Sequence, residues 1–141
     1  HPEAGHMLVR IRPTEEGRCV CPSHASCLEG LASGPAIAAR WGKPAAELAD
    51  NAEVWALEGD YLGQMCANLV LMYSPRRIVL GGGVMHQEQL YGIVRKKTLE
   101  YLGGYIQTAE LKDIESYICA PGCGGDQGIL GAAELARRAL A

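Results

Sequence analysis

Two short stretches carry the residues best suited to chemistry. Glu3-Ala4-Gly5-His6 ends in an imidazole, and Cys19, Cys21, His24 and Cys27 then crowd into the run C-V-C-P-S-H-A-S-C. Thiolate sulfur and imidazole nitrogen are the donors of a tetrahedral zinc site, and a C-x-x-H-x-x-C spacing lets one turn present three of them to a single ion. The preferred ligands are His6, Cys21, His24 and Cys27. Cys19 is a fifth donor for a site that takes four, so the choice between Cys19 and His24 stays open at this level. The plainer reading is a set of reduced loop cysteines beside two surface histidines. The concentration of donors argues against it.

Two carboxylates flank these donors. Glu3 precedes His6 by three residues and Glu29 follows Cys27 by two. If both segments converge on one ion, the two carboxylates must approach each other as well. Paired acidic acceptors beside an imidazole suit the hydroxyls of a sugar, where directed hydrogen bonds fix orientation. A solvated surface glutamate is the plainer reading of each, and tethering to a common ion weighs against it. With four protein ligands the zinc would be structural, since no coordination position stays open for a Lewis acid.

A third constellation is R-I-V-L-G-G-G-V-M, residues 77–85. A hydrophobic strand running into Gly81-Gly82-Gly83 and on to a helix lets backbone approach a nucleotide closely. Gly122-Cys123-Gly124-Gly125-Asp126 is a second glycine turn between a strand and a helix. Two such turns at the ends of parallel strands point to the sheet edge where α/β folds bind ligands. Taken singly, glycine after a strand marks only a tight turn. No G-x-x-x-x-G-K-[ST] sequence occurs, so the phosphate logic is not that of a P-loop. His86 and Cys66 read as structural residues, at a helix start and in an apolar stripe.

The elements that must position these groups follow from the patterning. Met7 to Arg12 alternates as a half-exposed strand. The cysteine loop comes next. Apolar and small residues then recur at helical spacing from Leu28 to Trp41, interrupted at Ser33-Gly34-Pro35, with a helix start near Pro35 and Gly42 as a stop. A short helix follows Lys43-Pro44. The longest periodic segment, 53–73, places Val54, Leu57, Tyr61, Leu62, Met65, Leu69 and Met72 on one stripe. Arg77 to Leu80 reads as a buried parallel strand, 87–101 as a helix, Ser116 to Ala120 as another strand and 127–141 as a closing helix. This alternation is α/β grammar with parallel strands. Three strands are few for so much helix.

The bulk numbers set bounds. A chain of 141 residues holds one core of ordinary size, and 48% hydrophobic with 21% charged residues is globular. A net charge of −3 argues against general affinity for nucleic acid or anionic membrane. No apolar run reaches the roughly 18 residues of a spanning helix, and no signal peptide is evident. The six cysteines are clustered, unlike an evenly stapled secreted scaffold, so reduced thiols in a cytoplasmic protein are expected. The chain opens His1-Pro2-Glu3 without a methionine, directly on a candidate ligand segment. It is therefore expected to be the C-terminal part of a longer protein.

The stretches H-P-E-A-G-H, C-P-S-H-A-S-C-L-E-G-L-A-S-G-P-A-I, A-R-W-G, R-I-V-L-G-G-G-V-M and G-I-L-G-A closely resemble the ROK family (repressors, open reading frames, kinases) and, within it, the bacterial fructokinases. The resemblance runs over essentially the whole chain. It implies an actin-like (ribonuclease H-like) ATPase fold of two α/β lobes, of which 1–141 would be the C-terminal lobe with an inserted zinc loop at 6–29. It implies sugar-hydroxyl contacts from Glu3, His6 and Glu29, with His6 also on zinc. It implies adenine and ribose contacts from Gly81, Gly82, Gly83, Val84 and Met85, with Pro35 nearby, in a nucleotide-contacting segment 77–127. Pro121-Gly122-Cys123-Gly124 departs from the P-R-L-G of related fructokinases and so lacks a cation at that turn.

The expected activity is phosphorylation of fructose or a related hexose by Mg-ATP, in a homodimer. The resemblance implies a first phosphate motif and a general-base aspartate upstream of His1, in the N-terminal lobe, and phosphoryl transfer needs both, so this chain alone is expected to be inactive. Two rivals stand beside this. A sugar-sensing repressor of the same family would need a helix-turn-helix upstream. A zinc-stabilised interaction module would gain no thermal stability from sugar or ATP.

Overall fold

The computed structural model describes residues 2–140. The chain is α/β and mostly helical. Among the described residues seven α-helices run Leu28–Ala32 (α1), Gly34–Trp41 (α2), Ala52–Tyr73 (α3), Gln89–Leu102 (α4), Ala109–Lys112 (α5), Ile114–Tyr117 (α6) and Gln127–Ala139 (α7). Two short strands, Ile78–Val79 (β1) and Ile118–Cys119 (β2), pair in parallel with Ile78 opposite Ile118.

Local chemistry explains the helix ends. Ser33 caps α2 by accepting from Ala36 N, proline occupies its first turn, and Gly42 closes it in the left-handed conformation at φ 70°. Asn51 caps α3 through its side-chain oxygen, which accepts from Glu53 N at 3.1 Å. Trp55 Nε1 donates to Leu48 O at 2.8 Å and so pins the preceding single turn, Ala45–Leu48, onto α3.

The core is built around α3 packed on α4. Gly59 and Gly63 lie one helical turn apart on α3. A β-carbon at Gly59 would collide with Ile93, and one at Gly63 would collide with the Lys97 side chain and stand 3.2 Å from its backbone carbon. The two helices therefore approach as closely as backbone allows, and Trp55, Tyr61, Leu90 and Val94 are buried around the contact.

Several sequence expectations are corrected. Met7 to Arg12 is not a strand: only Leu8 bridges to Cys27, and the amide and carbonyl of Arg10 are both taken by the Gln64 side chain of α3, at 2.8 and 3.0 Å. The expected strand at 116–120 begins as the last turn of α6, because Asp113 caps that turn through Ser116 N, and only Ile118 and Cys119 pair. Met72 leaves the expected stripe. It is 70% exposed, because the 22-residue α3 outruns its 14-residue partner. The closing helix α7 has no buried residue among those described, and Ile129, Leu130 and Leu135 on it are exposed. Ala141, placed in that helix by the sequence reading, lies outside the described residues.

Candidate metal and ligand sites

The Glu3–His6 segment and the cysteine loop are brought together by two backbone hydrogen bonds. Val9 N donates to Ser26 O and Leu28 N to Met7 O, each at 2.9 Å, around the Leu8–Cys27 antiparallel bridge. This zipper sets residues 3–6 beside residues 27–29. Residues 4–6 form one tight turn, with His6 N donating to Glu3 O at 3.0 Å.

The donor atoms of His6, Cys21, His24 and Cys27 all lie within 4.8 Å of one another. Cys21 Sγ is 3.4 Å from His24 Nδ1, and the His6 and His24 ring centroids are 5.1 Å apart. Zinc–nitrogen bonds of about 2.0–2.1 Å and zinc–sulfur bonds of about 2.3 Å place tetrahedral donors roughly 3.3–3.8 Å apart, close to the cluster seen. The buried Nδ1 of His6 has no hydrogen-bond partner, and such an orphan is an atom a metal would satisfy. The Cys2His2 donor set therefore fits zinc.

Cys19 stands outside this group. Its thiol donates to His24 O at 3.0 Å, which holds the loop rather than joining the four donors. The thiols differ in electronic setting. The Cys21 thiol is lowered to about 6, chiefly by a backbone hydrogen bond from Ser23, with His24 and Cys27 assisting against desolvation. Burial pushes the Cys27 thiol up, although its sulfur accepts from Gly30 N at 3.4 Å and so caps α1. None of the six cysteines forms a disulfide.

Both carboxylates lie at this edge. Glu29 is exposed on α1, and its carboxylate reaches the Glu3–His6 turn: a β-carbon at Gly5 would stand 3.0 Å from Glu29 Oε2. Glu3 is exposed at the entry to the same turn. Gly30 has a parallel role on the metal side. A β-carbon there would overlap Cys19 Sγ and come within 2.7 Å of Cys21 Cβ, so the cysteine loop lies directly on the α1 backbone.

The two glycine turns meet across β1 and β2. They wall a cavity of about 380 Å³ lined by Gly81, Gly82 and Met85 from one side and Pro121, Gly124 and Gly125 from the other. Gly81 lets Pro121 approach, since a β-carbon would stand 2.9 Å from Pro121 Cγ, and Gly82 at φ 92° adopts backbone that favours glycine. Gly83, Val84 and Pro35 do not line this cavity. Gly83 and Val84 begin the turn that follows, and Pro35 is exposed on the first turn of α2.

The sequence reading missed His86, Tyr91 and Gln127, all on the cavity wall. His86, which the sequence pattern places as a structural residue at a helix start, is exposed and faces the cavity. Tyr91 is anchored by donating to Leu80 O at 2.7 Å. The one available signal was position: His86 ends the turn after the triple glycine, and Gln127 opens the helix after the second glycine turn. No helix among the described residues is long and apolar enough to cross a membrane.

The chain is 46% identical over 141 residues to a putative fructokinase of Bacillus subtilis, covering 99% of this chain and 47% of that protein. It is 41% identical over 140 residues to the fructokinase of Pediococcus pentosaceus, with 99% and 48% covered, and 40% identical over 139 residues to that of Zymomonas mobilis, with 96% and 45% covered. The chain thus spans about half the length of the curated relatives it matches. The ROK family profile matches residues 1–139, and with that span the chain belongs to the ROK family.

Proposed function

We propose that this chain is the zinc-, sugar- and adenine-binding C-terminal lobe of an ATP-dependent fructokinase. The actin-like ATPase fold that ROK membership implies has a second lobe, and relatives about twice as long, named fructokinases, agree with that arrangement. The observation that carries the reading is the zipper between residues 7–9 and 26–28. It sets Glu3, His6 and Glu29 at one edge beside the Cys2His2 group. A surface without small-molecule function gives no reason for two carboxylates to border a metal-fit cluster.

In this reading Glu3 and Glu29 accept hydrogen bonds from hexose hydroxyls, and their charge makes those bonds stronger than neutral ones. With Nδ1 of His6 on the metal side, Nε2 is the ring nitrogen left for a sugar oxygen. Bound zinc would hold the His6 and Cys27 segments in register and supply no reactive position. The cavity between the glycine turns takes the adenosine of Mg-ATP, with Gly81, Gly82 and Met85 on its wall, His86 and Tyr91 beside them, and Gly83, Val84 and Pro35 as more distant contacts. The general base and the phosphate-holding motif lie in the N-terminal lobe, so residues 1–141 alone bind ligands without transferring phosphate. Partners are then a hexose, Mg-ATP, that lobe and a second copy of the chain, in the cytoplasm, with neither nucleic acid nor membrane among them.

The test is fructose-dependent ADP release from Mg-ATP by the full-length protein, compared with mannose and glucose. Turnover with fructose, lost in Glu29→Gln, supports the assignment. Absence of turnover with every hexose overturns it, as does phosphoryl transfer by residues 1–141 alone.

A further inference from the structure

We propose that Arg40 is a positioning residue for Glu29, clamping the helix that carries it to α3 and to the tip of the metal loop; this rests on the sugar-kinase reading above. Helix α1 has five residues, too few to hold a helical conformation or a fixed direction without outside contacts. Its first turn is held by the Cys27 cap. Its end is held by Arg40, whose Nη1 donates to Leu31 O at 2.9 Å, two residues beyond Glu29.

The same guanidinium reaches two other elements. Nη1 also donates to Glu58 Oε1 of α3 at 3.1 Å, and Nε lies 2.5 Å from Glu15 Oε2, in the single turn Pro13–Glu15 midway round the loop. The Arg40, Glu58 and Glu15 side chains are 2%, 0% and 12% exposed, and the Arg40 guanidinium also stacks 5.9 Å from the Tyr61 ring centroid. One cation thus joins three elements distant in sequence. Charge accounts for the arrangement. Burial holds the Glu58 carboxyl up to about 8, so near neutrality Arg40 and Glu15 balance as a pair while Glu58 keeps its proton.

Only a planar fork can serve these three directions together. Lysine would keep the charge but presents a compact ammonium that cannot span them. None of the three residues lies among the metal donors or on the cavity wall, so their effect on a sugar must pass through the placement of α1.

The experiment uses the full-length protein with Arg40→Lys and, because a buried change can prevent folding, Glu15→Gln. Hexose KM, ATP KM, zinc content and hydrogen exchange over residues 28–32 are measured for each. The clamp predicts a hexose KM raised about tenfold in Arg40→Lys and several-fold in Glu15→Gln, with ATP KM within twofold, one zinc retained, and faster exchange over 28–32. A hexose KM within twofold of wild type in a folded variant overturns it, as does an equal rise in both KM values. If Arg40→Lys does not fold, Glu15→Gln decides. If the wild type turns over no hexose, the kinase reading fails separately, and the exchange rates still decide the clamp: unchanged exchange over 28–32 overturns it.

Discussion

The Glu29 carboxylate occupies the space that a side chain at Gly5 would need, with Oε2 only 3.0 Å from where a β-carbon would stand. Residues 24 positions apart in sequence thereby share one surface, and the E-A-G-H glycine is a contact as well as a turn residue.

Gly5→Ala should push Glu29 off that surface by a few tenths of an ångström. The expected result is a hexose affinity reduced about five- to tenfold, near 1 kcal/mol, with little change in melting temperature because Glu29 is exposed. Isothermal titration of the full-length variant measures it. Unaltered affinity would remove Glu29 from the sugar site.

Gly30→Ala meets less forgiving neighbours, the Cys19 sulfur and the Cys21 backbone nitrogen, the latter 2.9 Å away. Overpacking of this kind costs about 1–3 kcal/mol, and here it should also lift the cysteine loop and lower zinc content. Gly34→Ala, which meets nothing within 4 Å, is the control. Thermal unfolding with zinc analysis separates the two.

Cys19→Ser and Cys21→Ser should behave differently. Cys19 donates to a carbonyl, a bond that serine can also make, whereas Cys21 is one of the four clustered donors. The first variant is expected to keep one zinc per chain and the second to lose most of it. In the wild type, chelation should weaken hexose binding before nucleotide binding. Equal zinc content in the two serine variants would contradict this ligand assignment.

Glu58 makes stability depend on pH. Its folded pKa is raised to about 8 from 4.5, mainly by burial, with the Arg40 charge lowering it and Glu15 raising it. A raised folded value means that the folded state holds a proton the unfolded chain has released. That stability is complete below about pH 4.5 and is lost as pH rises through about 8. Titration of this one group should move unfolding stability by a few kcal/mol across that window. Glu58→Gln should flatten the slope of urea stability between pH 5 and 8 relative to wild type, whatever the metal site contributes to both. An identical slope in the two proteins would show Glu58 to be ionised throughout.

The longer helices, the crowd of five candidate metal donors and the pairing of two glycine turns were legible in the sequence because each rests on local spacing. Ser33-Gly34-Pro35 and Gly42 act within a turn of where they sit, and C-x-x-H-x-x-C needs only its own loop. What only the tertiary structure decided are relations set by packing between distant elements. Gln64 took the backbone of Arg10 and so dissolved an expected strand, while Gly59 and Gly63 fixed how near α4 approaches. Cys19 turned to a carbonyl and left His24 in the donor group, and Arg40 joined α1, α3 and the loop. Periodicity reports which face of an element is apolar. It carries no information on which distant side chain will fill the space a missing β-carbon leaves, since that depends on the three-dimensional path of the whole chain.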